Sequence, residues 1–450
     1  MTTHTAPTIG MVSLGCSKNQ VDAERILGLL RADGFEIISD AASCDAVIIN
    51  TCGFIDDAKK ESIEAILEFA RMKESGKVKA VVVTGCLAER YREEVAKELP
   101  EADVVVGIGK NSEIAQIIRR ALGGERVLAF GDKNDLALSG ERVLTNAPYF
   151  AYLKVAEGCD NCCTYCAIPL IRGHFRSRPM EDVLEEARQL AQWGVQEINV
   201  VAQDTTRYGQ DIYGKLILPE LLEKLCEIPG FRWVRILYCY PERVTEELLQ
   251  VMKRQPKIVN YMDIPIQHCS GKILSQMNRR DNRETLTALM KRVREVLPDV
   301  TLRTTLITGF PGETEEDYTE LCDFVEEIGF ERLGCFTYSQ EEGTVAGGRE
   351  DQLEDEVKRR RAEGIMERQM VIAARHNETC IGRILEVLNE GYDTEMQSWY
   401  GRSPMDAPDI DTRVYFTTHR KPAIGEFVQV RITDSMDYDL VGEELGINLQ

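Results

Sequence analysis

The sequence predicts an α/β protein of three units: an N-terminal open parallel sheet over residues 8–130, a central partial (β/α) barrel over 149–375, and a small C-terminal antiparallel β-barrel over 379–447. Short apolar runs alternate with amphipathic stretches in the first unit, and the same alternation repeats about six times in the second. After residue 379 the pattern shortens to alternating strands. A chain of 450 residues is also too long for one hydrophobic core.

In the first unit, strands are expected over 9–14, 46–50, 79–84 and 104–106, with helices over 21–32, 58–72 and 90–99. Cys16, Cys52 and Cys86 each fall just beyond one of these strands and next to a glycine. In an open parallel sheet the carboxyl ends of the strands share one edge, where ligands bind, so three cysteines far apart in sequence can converge there. A single buried cysteine is usually a small apolar residue. Three at equivalent strand ends, each beside a glycine, argue against that reading. Cys44 precedes its strand, on the opposite edge, and reads as structural. Residues 131–148 lose periodicity and read as a linker.

In the second unit, strands are expected over 151–155, 197–201, 233–237, 262–264, 302–307 and 332–337. Helices are expected over 181–193, 218–226, 245–252, 283–296, 315–327 and 352–374. Such a run places an active site at the carboxyl ends of the strands. The loop after the first strand, Glu157-Gly158-Cys159-Asp160-Asn161-Cys162-Cys163-Thr164-Tyr165-Cys166, packs four of the fourteen cysteines into eight residues. The spacing of Cys159, Cys163 and Cys166 lets a tight loop turn three thiolates toward one iron-sulfur cube with one iron left open. A structural zinc site is the alternative, since Cys159 with Cys162 and Cys163 with Cys166 make two CxxC pairs. Those pairs abut, however, whereas zinc knuckles come from separated segments. Cys162 is then the surplus thiol.

Gln203 and Asp204, Tyr238 and Tyr240, Gln267 and His268, and Gly309 to Glu313 follow the later strands at the same mouth. Each has a plainer reading as a solvated loop residue, and His268 as a structural histidine. Arg172, Arg176 and Arg178 could clamp carboxylates of a ligand or offset the acidic surface.

In the third unit, strands are expected over 384–388, 399–402, 412–416, 427–433 and 439–443. Asp406, Asp409, Asp411, Asp434, Asp437 and Asp439 crowd this segment, so phosphate contact is unfavourable and a basic protein suits it better. The net charge of −21 argues the same way: direct nucleic-acid binding is not expected and a basic protein partner is, although solubility alone would also account for acidity. The chain has no run of eighteen apolar residues, and its first ten residues lack the regions of a signal peptide, so a cytoplasmic protein without membrane contact is expected. Fourteen cysteines then fit metal binding better than disulfides.

The CxxxCxxC loop, with Tyr165 before its last cysteine, resembles the radical S-adenosylmethionine (SAM) enzymes. In that family the open iron chelates SAM, and one electron cleaves it to a 5′-deoxyadenosyl radical. The resemblance implies that Tyr165, Gln203, Asp204, Gln267, His268 and Gly309 contact SAM, and Thr308-Gly309-Phe310-Pro311-Gly312-Glu313 is similar to the family's glycine-containing strand-end motif. Across nearly the full chain, the three strand-end cysteines, the barrel and a terminal barrel of the TRAM kind resemble the methylthiotransferases. Val12-Ser13-Leu14-Gly15-Cys16-Ser17-Lys18-Asn19, Glu157 to Cys163, and Gly401-Arg402-Ser403-Pro404-Met405-Asp406-Ala407-Pro408 look like the branch that modifies an aspartate of a basic small-subunit ribosomal protein, the one numbered twelve. The tRNA-modifying branch usually carries glutamine-methionine-asparagine after the first cysteine, where Ser17-Lys18-Asn19 stands here.

This resemblance implies two 4Fe-4S clusters. Cys159, Cys163 and Cys166 hold the one that cleaves SAM, whose radical takes hydrogen from the aspartate β-carbon. Cys16, Cys52 and Cys86 hold the other, which carries sulfur that a second SAM methylates before transfer. An external electron donor is implied as well. Two alternatives stay open at this point: a tRNA methylthiotransferase modifying an adenosine, which would share all six cysteines, and a non-catalytic iron-sulfur scaffold or electron carrier, which would need no SAM pocket.

Overall fold

The computed structural model describes residues 6–446. Residue 447, the expected end of the last unit, lies outside them.

The first unit is a six-stranded parallel sheet of Thr8–Ser13 (β1), Glu36–Ile37 (β2), Ala46–Thr51 (β3), Ala80–Gly85 (β4), Val104–Val106 (β5) and Val127–Ala129 (β6), in the order β2-β1-β3-β4-β5-β6. Strands β3 and β4 are buried on both faces, which is why they read as unbroken apolar runs. The chain leaves β1 toward β2 on one side and returns to β3 on the other, so a topological switch point opens between β1 and β3. Cys16 and Cys52 stand at that switch point.

Two helices start earlier than expected. Ser17–Ala32 begins directly after Cys16 and Cys86–Glu98 at Cys86 itself, because Gly15 and Gly85 turn the chain sharply at φ of 91° and 92°. The helix Ile114–Leu122 and the edge strands β2 and β6 come in addition to the expected elements. Ile114, Ile117, Ile118 and Ala121 are buried at helical spacing, so that helix has a plain apolar stripe.

The second unit begins with Phe150–Lys154 (β7) and a small hairpin of Ala156–Glu157 (β8) and Arg176–Ser177 (β9). It continues through Glu197–Val201 (β10), Trp233–Ile236 (β11), Ile258–Asp263 (β12), Thr301–Thr308 (β13) and Arg332–Thr337 (β14). The sheet order β14-β13-β12-β11-β10-β7 is parallel and does not close, so the barrel is partial. Strand β12 starts four residues before the expected 262, since Asn260 interrupts an apolar run that in fact continues. The long helix Asp355–Cys380 packs against β14.

The third unit is a closed barrel of Ile384–Asp393 (β15), Ser398–Arg402 (β16), Val414–Thr417 (β17), Phe427–Met436 (β18) and Asp439–Glu444 (β19). It is not wholly antiparallel, because β17 pairs with β19 in parallel. Five strands cannot alternate direction all the way around a ring, so one neighbour pair must run the same way.

The crowded aspartates need a correction. Asp406 is buried on Arg332 at 2.7 Å, and Asp411 accepts from the Tyr261 hydroxyl at 2.6 Å and lies 3.4 Å from Arg303. These two hold the small barrel onto the large one, together with Arg402 on Glu197 at 2.7 Å and the edge-on stacking of Trp233 and Phe427. Only Asp409, Asp434 and Asp437 of the six are exposed.

The stretch 131–148 is a strap across the first two units. Arg142 is buried there, with its guanidinium on Glu24 of the first unit and on Glu186 of the second at 2.5 Å. Glu186 also takes Arg25 at 3.2 Å and Arg178 at 2.7 Å. Burial alone would raise the Glu186 carboxyl, but Arg178, Arg142 and Arg25 outweigh it and hold it down to about 2. A carboxyl lowered on folding adds stability that is complete above its ordinary value of 4.5 and fades as pH falls toward 2. The contribution is about 3 kcal/mol. Urea titrations of Glu186→Gln and the unaltered protein should therefore show a gap at neutral pH that narrows steadily below about pH 4.5. Parallel curves down to acid would mean that the arginine cluster does not depend on this carboxylate.

Candidate active site

The first cysteine trio is assembled by strand ends. Cys16 caps the helix Ser17–Ala32 in extended conformation, Cys52 follows β3, and Cys86 opens its helix after β4. Gly15 lies so close to Cys52 that a Cβ there would stand 3.0 Å from the sulfur, so a side chain would push the two loops apart. The Cys52 N–H donates to Ser62 Oγ at 3.0 Å, whose hydroxyl donates back to the Cys52 carbonyl at 2.9 Å. The Cys52 thiol is pushed up to about 12, first by burial and then by the neighbouring Cys86 and Cys16. Cys16 opens to solvent at its surface, yet the protein around it still presses its thiol up. Lys18 and Arg172 outweigh that pressure and bring it below its ordinary value.

The second trio lies on the loop between β8 and the short helix Ile168–Arg172. The loop is pinned from three sides. Cys159 N–H donates to Gly173 O at 3.2 Å, Thr164 N–H to Met277 O at 3.1 Å, and Asn161 Nδ2 to Asp204 Oδ2 at 3.0 Å. Burial pushes Cys159 up to about 12 and raises Cys166, with Cys163 adding to both. Tyr165 is raised by burial and then by Cys163, against which it lies. Cys162 points elsewhere: it is exposed, at φ of 52°.

Gly158 precedes the trio at φ of 77°, and a Cβ there would run into the His174 carbonyl. Gly158→Ala is therefore expected to destabilise the protein by more than about 1 kcal/mol and to lower the iron bound by the second trio, as thermal melting and iron analysis would show. A variant with unchanged iron would mean that the loop can relax away from His174.

The other expected SAM contacts divide. Gln203 donates from Nε2 to Glu157 at 2.5 Å, while its Oε1 is enclosed without a donor. Asp204 is fully buried and spends its oxygens on Asn161, on Thr206 at 2.7 Å and on Arg243 at 2.7 Å, so it braces the cysteine loop. Gln267 sits at φ of 72° where it bridges to Leu306. Gly309 turns at φ of 74° directly against Lys358, and its N–H donates to Glu313 at 2.8 Å. His268 is wholly enclosed. Its Nδ1 accepts the Ser270 N–H at 2.9 Å and burial lowers the ring to about 3, so it stays neutral inside the core.

The three arginines after the loop are spent on the protein's own acceptors, carboxylates for Arg172 and Arg178 and an amide for Arg176. Arg178 takes Glu186, and Arg176 donates to Asn134 at 2.5 Å. Arg172 joins the two trios: one nitrogen donates to Cys86 Sγ at 3.1 Å and to Asn19 Oδ1 at 2.9 Å, and the other meets Asp22 and, at 3.3 Å, Glu157. Lys154 completes this buried knot on Asp22 and on Glu157 at 2.6 Å. The knot was not legible in sequence, where 132 residues separate Asp22 from Lys154 and no local pattern links them to Arg172.

A zinc ion gathers four donors within about 2.3 Å of one point. Among the described residues, no three His, Cys, Asp or Glu side chains are gathered tightly enough for one ion. A cube is a wider template in which each thiolate takes its own iron, and both trios, with neighbouring thiols and no competing disulfide partner, fit it.

A parallel partial barrel with such a loop at its mouth defines a radical SAM enzyme, and residues 153–325 match the Radical SAM superfamily. Residues 8–107 match the uncharacterized protein family UPF0004 and residues 381–444 the TRAM domain. The chain is 50% identical, over 96% of its length and 99% of the relative's, to the ribosomal protein uS12 methylthiotransferase RimO of Lachnoclostridium phytofermentans. It is 48% identical, over 97% and 98%, to that of Geobacter sulfurreducens. The chain belongs to the RimO family of methylthiotransferases. Its fold is also similar to the radical SAM methyltransferase TsrM of Kitasatospora setae, with a TM-score of 0.56 over 85% of this chain and 81% of that one at 13% identity.

Proposed function

We propose that this enzyme adds a methylthio group to the β-carbon of an aspartate in ribosomal protein uS12. The observation that supports this reading is Arg172, which donates to Cys86 and also reaches Glu157 at the head of the CxxxCxxC loop, bringing the two cysteine sets to neighbouring places. Bound there, two 4Fe-4S clusters and SAM would supply the radical, the sulfur and the methyl group. The protein's own residues hold and insulate these groups. Cys159, Cys163 and Cys166 would bind the cluster that handles SAM, and Cys16, Cys52 and Cys86 the one that carries sulfur. Tyr165 covers Cys163, and the unpaired Oε1 of Gln203 offers an acceptor to a donor group of SAM. Gln267 and Gly309 line the same strand ends, and Asp204 keeps the cysteine loop in place.

The protein is read as cytoplasmic, with an external electron donor. The net charge of −21 favours a basic ribosomal protein over RNA as its partner. The test is mass spectrometry after anaerobic incubation of cluster-loaded protein with SAM, reductant and sulfide, with uS12 and bulk tRNA offered together. A methylthio increment on an aspartate peptide supports the reading. An increment on a tRNA nucleoside overturns it.

A further inference from the structure

Every buried cation of the knot between the two trios has a carboxylate, but Lys18, beside it, does not. Lys18 is the second residue of the helix Ser17–Ala32 and only 7% exposed. Its ammonium stands 3.2 Å from the centre of the Tyr238 ring, just beyond β11 at the barrel mouth. The carboxylate that approaches this place, Asp263, is already committed to Arg303 at 2.9 Å and to the Tyr238 N–H at 3.0 Å. Among the described residues no carboxylate lies within ion-pair reach of Lys18. The Ser17 hydroxyl next to it is enclosed without a partner, and the first turn of the helix carries no acidic residue. An ammonium, a hydroxyl and the positive end of a sixteen-residue helix thus meet beside Cys16 with no carboxylate among them. A ring face compensates a buried ammonium only weakly, so the site favours an incoming anion.

We infer that Lys18 binds the side-chain carboxylate of the target aspartate and so places its β-carbon beside the first cysteine trio. The inference rests on the function proposed above. The β-carbon to be modified is bonded directly to the carboxylate carbon, and Lys18 is two residues from Cys16, on the site read as the sulfur carrier. An anion held at Lys18 therefore brings the acceptor carbon to the place where sulfur must be delivered. Lys18 is a positioning residue: no proton or electron passes through it.

The test compares a uS12 peptide carrying the target aspartate with the same peptide carrying asparagine, by equilibrium binding to cluster-loaded protein and by KM and kcat on the aspartate peptide. The unaltered protein should prefer the aspartate peptide by about tenfold or more. Lys18→Met, which keeps the length of the side chain without its charge, should erase that preference and raise KM more than it lowers kcat. Lys18→Arg should restore much of it. Iron content shows whether each variant has folded.

Equal binding of the two peptides by the unaltered protein overturns the inference without any variant. An undiminished preference in Lys18→Met overturns it as well. Either result with aspartate still methylthiolated leaves the proposed function standing, whereas no methylthiolation of uS12 by the unaltered protein removes both.

Discussion

Cys163→Ala should leave the protein with about half of its iron and with SAM cleavage at the level of cluster-free protein. Cys163 sits at the centre of its trio: it presses on Cys159 and Cys166 and touches Tyr165. With two thiols left, the cube loses a corner ligand on a loop whose backbone is already fixed by Met277, Gly173 and Asp204, so the loop cannot fold inward to replace it. The neighbouring Cys162 is the candidate for rescue, but it is exposed and its backbone turns at φ of 52°. The measurement is 5′-deoxyadenosine formed under reductant, with iron counted on the same sample. Retained cleavage would hand the ligand role to Cys162.

Cys52→Ala should have the opposite profile: about half of the iron again, SAM cleavage preserved, and no methylthio product. Cys52 belongs to a different unit from the CxxxCxxC loop, and the connection between the trios runs through Arg172 to Cys86, leaving Cys52 outside it. Alanine keeps the Cβ and the backbone hydrogen bond to Ser62, so the fold should tolerate the change. Chromatography for 5′-deoxyadenosine and mass spectrometry for the product separate the two activities. Loss of both would mean that SAM cleavage depends on an intact first trio.

Much of this architecture can be read from the chain because it is written locally. Strands β3 and β4 are continuous apolar runs, and the residues that follow them, Cys52 and Cys86, are placed by the parallel sheet on one edge. What the chain hides is written between units. In the helix Ser17–Ala32, Asp22, Glu24 and Arg25 are all buried because a second unit covers that face, which the pattern of one helix does not show. Asp406 and Asp411 looked like a partner surface for the same reason. The parallel pairing of β17 with β19 follows from ring closure, which no single strand reveals. His268 shows the limit in the other direction, since a polar residue after a strand end can turn inward and serve the core.

The knot of Asp22, Lys154, Glu157 and Arg172 also constrains heredity. Asp22 comes from the first unit and Lys154, Glu157 and Arg172 from the second, and removing any one strands the rest in a dry interior. A recombinant that took its first unit from one ancestor and its barrel from another would fold only if both parents wrote the same four letters. The two units are therefore bound to descend together, and the small terminal barrel with them, since its Asp406 and Arg402 rest on Arg332 and Glu197 of the large one in the same dry way.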